Sequence, residues 1–330
     1  METIRLTAAL SDYDHVRDFT SGVVRAQGIT LIPLTIRPHE IFFRFMTNHE
    51  WEVSEMSFGG YCSMVAEGDR SAIAIPVFPS RIFRHSSIFV RADGRVKKPE
   101  DLAGKRIGVP EWGMTAVIYI RGWVMHQLGI PLQKIEWFQG GLNEPGRTEK
   151  IVPVLPPGTK LTTVADRSLS DMLLAGDIDA IFAASPPDPF RDGDKRVVRL
   201  FPDYRPVEEA YFRTTGIYPI MHTIVIRRET YERDKWVALS LFHAFDAAKK
   251  RCVERIMRPG SSVPVPWLFE EARRAAALIF PTGDYWPYGV EPNRTTLDAF
   301  LLYCHEQGVC KRRLTAEDLF APETLVLARE

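Results

Sequence analysis

Along the first third of the chain the apolar positions switch between two periods. I-R-L-T-A-A-L (4–10) predicts a strand, residues 14–26 carry helical spacing, I-T-L-I-P-L-T-I (29–36) is strand-like again, and H-E-I-F-F-R-F-M (39–46) returns to the helical period. V-S-E-M (53–56) and A-I-A-I-P-V-F (72–78) predict a third and a fourth strand. This β-α-β-α order predicts a mostly parallel sheet with helices on its faces. S-I-F-V-R (87–91) then leads through a polar connector bearing Pro and Gly to I-G-V-P (107–110), which opens a second series. A helix over 115–129 and a strand over 135–138 follow. D-R-S-L-S-D-M-L-L-A-G-D-I-D-A-I-F-A (166–183) reads as a capped helix, a Gly stop and a buried strand. Residues 196–201 and 221–229 predict two more strands, and the remainder is mainly helical.

At 330 residues the chain is too long for one small core, so two lobes are expected. Its 42 basic and 42 acidic residues cancel, which leaves no electrostatic footprint for nucleic acid or an anionic membrane. M-E-T-I-R-L-T-A-A-L reads as a first strand and not as a signal peptide, and no apolar run reaches the length of a membrane span. Cys62, Cys252, Cys304 and Cys310 form no C-x-x-C pair and no disulfide framework. A cytoplasmic setting is the expectation.

Two α/β series with a later strand leading to C-terminal helices resemble the type II periplasmic-binding-protein fold. In that fold the chain crosses twice between lobes, and ligand sits in the cleft. D-L-A-G-K-R-I-G-V-P (101–110) looks like the entry to its second lobe. The expected division is 1–92 plus 223–330 for lobe 1 and 93–222 for lobe 2. More specific are R-I-F-R-H-S (81–86), R-T-E-K after G-G-L-N-E-P-G (140–150), L-S-D-M-L-L-A-G-D-I-D-A-I (169–181) and G-I-Y-P-I-M-H-T-I-V-I-R (216–227). With D-Y-W-P-Y-G-V-E-P-N-R (284–294) and H-E-Q-G (305–308), they resemble the 4,5-dihydroxyphthalate decarboxylase family over nearly the whole chain. The resemblance implies a carboxy-lyase that converts an aromatic dicarboxylate to protocatechuate and CO2. The alternative is a non-catalytic binding protein for an aromatic or other organic anion, and the oligomeric state is left open.

In such a cleft, ligand groups meet strand C-termini and helix N-termini. A dianionic substrate asks for a bidentate clamp, for which Arg suits better than Lys; Arg81, Arg84 and Arg37 are the candidates. Ser57, Phe58 and Gly59 open a helix and present backbone N–H groups to an anion. Glu111, Trp112 and Thr115 open the first helix of the second lobe, where Trp112 would stack on a ring or pack between the lobes. Decarboxylation by ring-carbon protonation needs a proton donor and a partner for the phenol; His15, His85, His222 and Asp14 are the candidates. No organic cofactor is expected. Asp12, Asp14, His15, His39 and His85 lack any H-x-x-x-H or H-E-x-x-H spacing, so no metal site is assigned, although ligands converging from separate loops leave metal dependence open.

Overall fold

The computed structural model describes residues 3–146, 151–258, 264–280 and 283–326; R-T-E-K (147–150) lies outside them. In chain order the first elements are β1 (Ile4–Leu10), α1 (Asp14–Thr20), β2 (Ile29–Thr35), α2 (Pro38–Asn48), β3 (Val53–Ser57), α3 (Phe58–Ala66), β4 (Ala72–Arg81) and β5 (Ile88–Arg91). Next come β6 (Arg106–Val109), α4 (Thr115–His126), β7 (Glu136–Gln139), β8 (Lys160–Thr163), α5 (Leu169–Ala175) and β9 (Ala180–Phe182). The chain continues with α6 (Asp188–Arg191), β10 (Val197–Arg199), α7 (Arg205–Thr215), β11 (Ile220–Arg227), α8 (Arg228–Arg233), α9 (Val237–Ile256), α10 (Leu268–Ile279) and α11 (Arg294–Glu306).

These strands form two mixed sheets, ordered β2-β1-β3-β11-β4 and β10-β5-β9-β6-β7-β8. In the first, β1 pairs parallel with β2 and β3, while β11 runs antiparallel to β3 and β4. In the second, β6 is parallel to β7 and β9, and β5 runs against β9 and β10. Each sheet thus holds one reversed strand, and in each case it is the strand that enters from the other sheet. The chain leaves the first sheet after Arg81 and returns at Ile220. The first crossing, between Arg81 and Ile88, lies ahead of the 92/93 division expected from the sequence because β5 pairs only within the second sheet, and β11 re-enters the first sheet three residues ahead of the expected 222/223 division. Prolines in strands sit where a missing N–H is tolerated: Pro33 is in β2 and Pro76 and Pro79 are in β4, the two edges of the first sheet.

The α1 helix is shorter than its apolar spacing suggests, because Ser21 and Gly22 close it through backbone bonds to Arg17 and Phe19. Gly176 ends α5 in the left-handed conformation (φ 81°), which a Cβ would strain. The α4 helix has almost no polar face, since it packs against both α11 and α3 and is buried from Thr115 to Val124. Gly122 permits that approach, because a Cβ there would sit 2.3 Å from the Tyr303 ring. The α11 helix therefore does not belong to the first sheet alone. Phe300 stacks on Phe58 of α3 at 4.9 Å and on Tyr119 of α4 at 4.7 Å. Just beyond the helix, Gln307 bonds to the Trp112, Ile118 and Arg121 region. Among the described residues no helix is long and apolar enough to cross a membrane.

Candidate active site

A cavity of about 620 Å³, counted to its mouth, opens where the strand ends of the two sheets face each other. The first sheet supplies Ser57 and Gly60 after β3, Arg84 after β4, and Met221 and His222 at the start of β11. Glu111, Thr115 and Ala184 enter from the second sheet, and His39, Phe42 and Met46 of α2 cover one side.

Strand register explains the central pair. His222 lies opposite Ser57 and Ile224 opposite Glu55, so Glu55 and His222 are diagonal neighbours on one face of the β3/β11 ladder. His222 Nδ1 donates to Glu55 Oε1 at 2.6 Å, the Tyr13 hydroxyl donates to the same oxygen at 2.6 Å, and the Ser11 backbone N–H donates to Oε2 at 2.8 Å. Glu55 is fully buried. Burial pushes its carboxyl up, but the bonds from His222, Tyr13 and Ser11 together outweigh burial and hold it below the usual carboxylate range. With Nδ1 committed to the carboxylate, Nε2 is the His222 nitrogen left for a ligand in the cavity.

Arg84 forms another part of the wall. Its Nη1 donates to the Ala184 carbonyl at 3.0 Å and its Nε approaches Met221 Sδ at 3.2 Å. Burial pushes its guanidinium down to about 10, with the nearby Glu208 carboxyl acting in the opposite sense, so it stays cationic at neutral pH. The N-termini of α3 and α4 also converge here. Thr115 Oγ1 accepts from the Gly59 N–H at 2.9 Å and lies 3.0 Å from Ser57 Oγ, which locks the two helix ends together. A cation and two positive helix ends around one cavity favour an anionic guest. Glu111 is the carboxyl group on the same wall.

The structure thus brings His222, Ser57, Arg84, Glu111 and Thr115 together and places the other candidates elsewhere. Arg81 is buried and serves the fold: its guanidinium donates to Asn293 Oδ1 (2.7 Å) and to the Pro287 and Tyr218 carbonyls, and lies over the Tyr218 ring. It holds the W-P-Y-G segment in place. Arg37 is exposed at the start of α2, outside the cavity wall. His15 donates to the Pro79 carbonyl at 2.9 Å between Tyr13 and Trp286, and burial pushes it down to about 4. Asp14 is exposed and pairs with Arg17. Phe58 is packed on Phe300, and Gly59 is the contact point between the helix ends. Trp112 is wholly buried under the Arg121 guanidinium and bonds to the Gln307 carbonyl. His85 opens into a different cavity.

Sequence reasoning missed Glu55, Tyr13 and Met221. The available signal for Glu55 was a carboxylate within the strand V-S-E-M-S, all of which but its last residue is buried.

Fold and site together define a two-lobed α/β protein with a cavity between the lobes, walled by Arg84 and by the His222 that Glu55 holds. No family model matches the chain. Among solved structures it aligns with the periplasmic aliphatic sulphonate binding protein SsuA from Escherichia coli, covering 98% of this chain and 99% of that one, at TM-score 0.53 and 11% identity. It also aligns with the periplasmic sulfonate-binding protein SsuA from Methylobacillus flagellatus KT, covering 98% and 93%, at TM-score 0.54 and 13% identity. These likenesses establish the periplasmic-binding-protein fold. In sequence the chain is 35% identical over 327 residues, 98% of each chain, to a 4,5-dihydroxyphthalate decarboxylase of Comamonas testosteroni. A second such protein, from Pseudomonas putida, is 35% identical over 214 residues, 64% of this chain and 83% of the relative. The chain belongs to the 4,5-dihydroxyphthalate decarboxylase family.

Proposed function

We propose that the protein is a carboxy-lyase that removes one carboxylate from 4,5-dihydroxyphthalate, or a close aromatic dicarboxylate, giving protocatechuate and CO2. The observation that carries this reading, beside family membership, is the Glu55–His222 pair, whose imidazole faces the same cavity as the Arg84 guanidinium. Arg84 and the α3 and α4 N-termini hold the carboxylate that is retained. Each carboxylated ring carbon lies para to a phenolic hydroxyl, so it accepts a proton readily. His222 Nε2 delivers that proton while Glu55 fixes Nδ1–H and balances the imidazolium charge. The protonated ring is a cyclohexadienone-like species, and expulsion of CO2 restores its aromaticity. The C–C bond gives its electron pair to the ring, the added proton stays on carbon, the para phenol keeps its own proton throughout, and the neutral His222 takes up a new proton from solvent. Among the described residues no group of three or more His, Cys, Asp or Glu side chains is arranged to hold a metal ion.

Incubating the purified protein with 4,5-dihydroxyphthalate, with and without chelator, tests the proposal. CO2 and protocatechuate formed in equal amounts are expected. Tight binding with no product across the neutral pH range would leave a binding protein on this fold instead.

A further inference from the structure

Arg84 stands in the segment by which the chain leaves the first sheet, between the end of β4 at Arg81 and the start of β5 at Ile88. The backbone there makes one 3₁₀ turn, His85–Ser87, closed by the Ser87 N–H donating to the Arg84 carbonyl at 3.0 Å. The first N–H groups of such a turn have no partner within it, and the Arg84 side chain does not cap them. Their partner comes from α7. Glu208 Oε1 accepts from the Ser86 N–H at 3.3 Å, and the same carboxyl group bonds to the His85 N–H. Arg199 of β10 holds the other end of the same residue, its Nε donating to the Ser86 carbonyl at 3.1 Å.

Ring packing repeats the arrangement. Phe83 sits among Tyr211 and Phe212 of α7 and Tyr218, with centroids 5.2 to 6.5 Å apart, and His85 lies 5.1 Å from the Tyr211 ring. The α7 helix thus grips the residues on both sides of Arg84. The guanidinium itself rests on two neutral acceptors, the Ala184 carbonyl and Met221 Sδ. The carboxyl that acts on its charge is Glu208. Among the described residues the charged groups acting on Glu208 are two cations, Arg84 and Arg199. His85 is uncharged at neutral pH, because burial pushes it down to about 4. Arg205, Arg213 and Arg274 pair with Glu209 and Glu271 instead.

We propose that Glu208 is a positioning residue for Arg84: it fixes the turn that carries the guanidinium and sets how much of its charge is left for a substrate carboxylate. This deepens the proposed function and rests on its assignment of Arg84 to the retained carboxylate. Burial pushes Glu208 up to about 7, against the pull of both cations and both N–H groups. An anion docked on Arg84 takes over part of that pull, so Glu208 binds its proton more tightly in the complex. Binding near neutral pH therefore takes up a proton, and affinity falls as pH rises through the value of the free protein.

Phthalate, which keeps both carboxylates but lacks the hydroxyls that activate the ring, probes binding without turnover. Calorimetry in two buffers of different ionisation enthalpy reads Kd and proton uptake together. Because His222 also titrates in this range, the comparison is made in the His222→Gln background. There, phthalate affinity is expected to fall several-fold from about pH 6 to 8 with uptake of a proton, and adding Glu208→Gln should abolish both. Gln keeps an oxygen for the Ser86 N–H, so its Kd at the acid end should match that of the background. Glu208→Ala keeps no acceptor and should raise Kd about tenfold, the scale of losing a hydrogen bond to a charged group. Full pH dependence and proton uptake after Glu208→Gln overturn the proposal, as does an unchanged Kd in Glu208→Ala. Unaltered phthalate affinity in Arg84→Met overturns the clamp on which it rests. The expected binding results without CO2 release from 4,5-dihydroxyphthalate refute the decarboxylase reading and leave Glu208 in its role.

Discussion

Replacing Glu55 by Gln isolates the acid–base pair with little change of volume. The carboxylate accepts three bonds, two at Oε1 from His222 and Tyr13 and one at Oε2 from the Ser11 backbone. An amide has only one oxygen. If that oxygen keeps His222 and Tyr13, the new NH2 meets the Ser11 N–H, donor against donor; the flipped amide loses the other two partners instead. At least one bond to a charged acceptor is lost in either case, a net effect of about 1.5–3 kcal/mol. Expressed fully in the proton-transfer barrier, that lowers kcat about 10- to 150-fold. Glu55 lies outside the cavity wall, so KM should move little. The assay is the initial rate of CO2 release from 4,5-dihydroxyphthalate over a range of concentrations, with His222→Gln and the double variant in parallel. Residues acting as a unit are non-additive, so the double variant should be no slower than His222→Gln alone. Stability supplies an independent readout. The folded-state carboxyl titrates below its unfolded value of 4.5, so its contribution is present above that pH and is lost as pH falls further. The urea midpoint of Glu55→Gln should therefore approach that of wild type in acid. Wild-type kcat in both single variants would remove the pair from the mechanism.

Arg84→Met should raise KM or substrate Kd at least about tenfold with a near-normal melting curve, whereas Arg81→Met should cost about 2–4 kcal/mol in urea unfolding, because it strands the buried acceptors of Asn293 and Pro287. Substrate titration and denaturation of the two variants compare these directly, and a reversed pattern would exchange their roles. Gly59→Ala places a Cβ 2.8 Å from the Gly113 carbonyl and 2.9 Å from Ile118 Cδ1, which forces α3 and α4 apart; overpacking of this kind costs about 1–3 kcal/mol, read as a lower melting temperature and a raised KM. Burial pushes His15 and His85 down to about 4, so the unfolded chain takes up protons first and stability falls as pH drops from 6.5 toward 4. Glu208, pushed by burial up to about 7, acts in the opposite sense, and urea midpoints across this range should show a shallower slope for His85→Leu than for wild type.

Much of the scaffold was legible because it rests on local rules. The alternating β1 pattern, the Gly176 stop before β9 and the strand–glycine–helix passage around Ser57 are each written in a few consecutive residues. The short strand β8 and the helix α7 were not, since K-L-T-T is mostly exposed and R-P-V-E-E-A-Y-F-R-T-T buries little beyond Tyr211. Among the site candidates, the reading from loop position placed Arg84, Ser57, Thr115, Glu111 and His222 near strand ends, and these do line one cavity. Arg81 and His85 stand three and one residues from Arg84 in the same R-I-F-R-H run, yet the structure sends the three side chains to three different surroundings.

By itself the sequence determined the two α/β series, their caps and stops, and the concentration of Arg, His and Ser at strand ends, because each depends on neighbours within a turn or two of chain. Only the tertiary structure decided which of those groups meet. Glu55 and His222 are 167 residues apart and become partners through the register of β3 against β11. Whether an arginine faces a ligand or a buried carbonyl turns on what packs over it, and for Arg81 that is the segment from Pro287 to Asn293, more than 200 residues away. Contacts of that separation are set by how whole sheets and helices pack, and no short stretch of sequence records them.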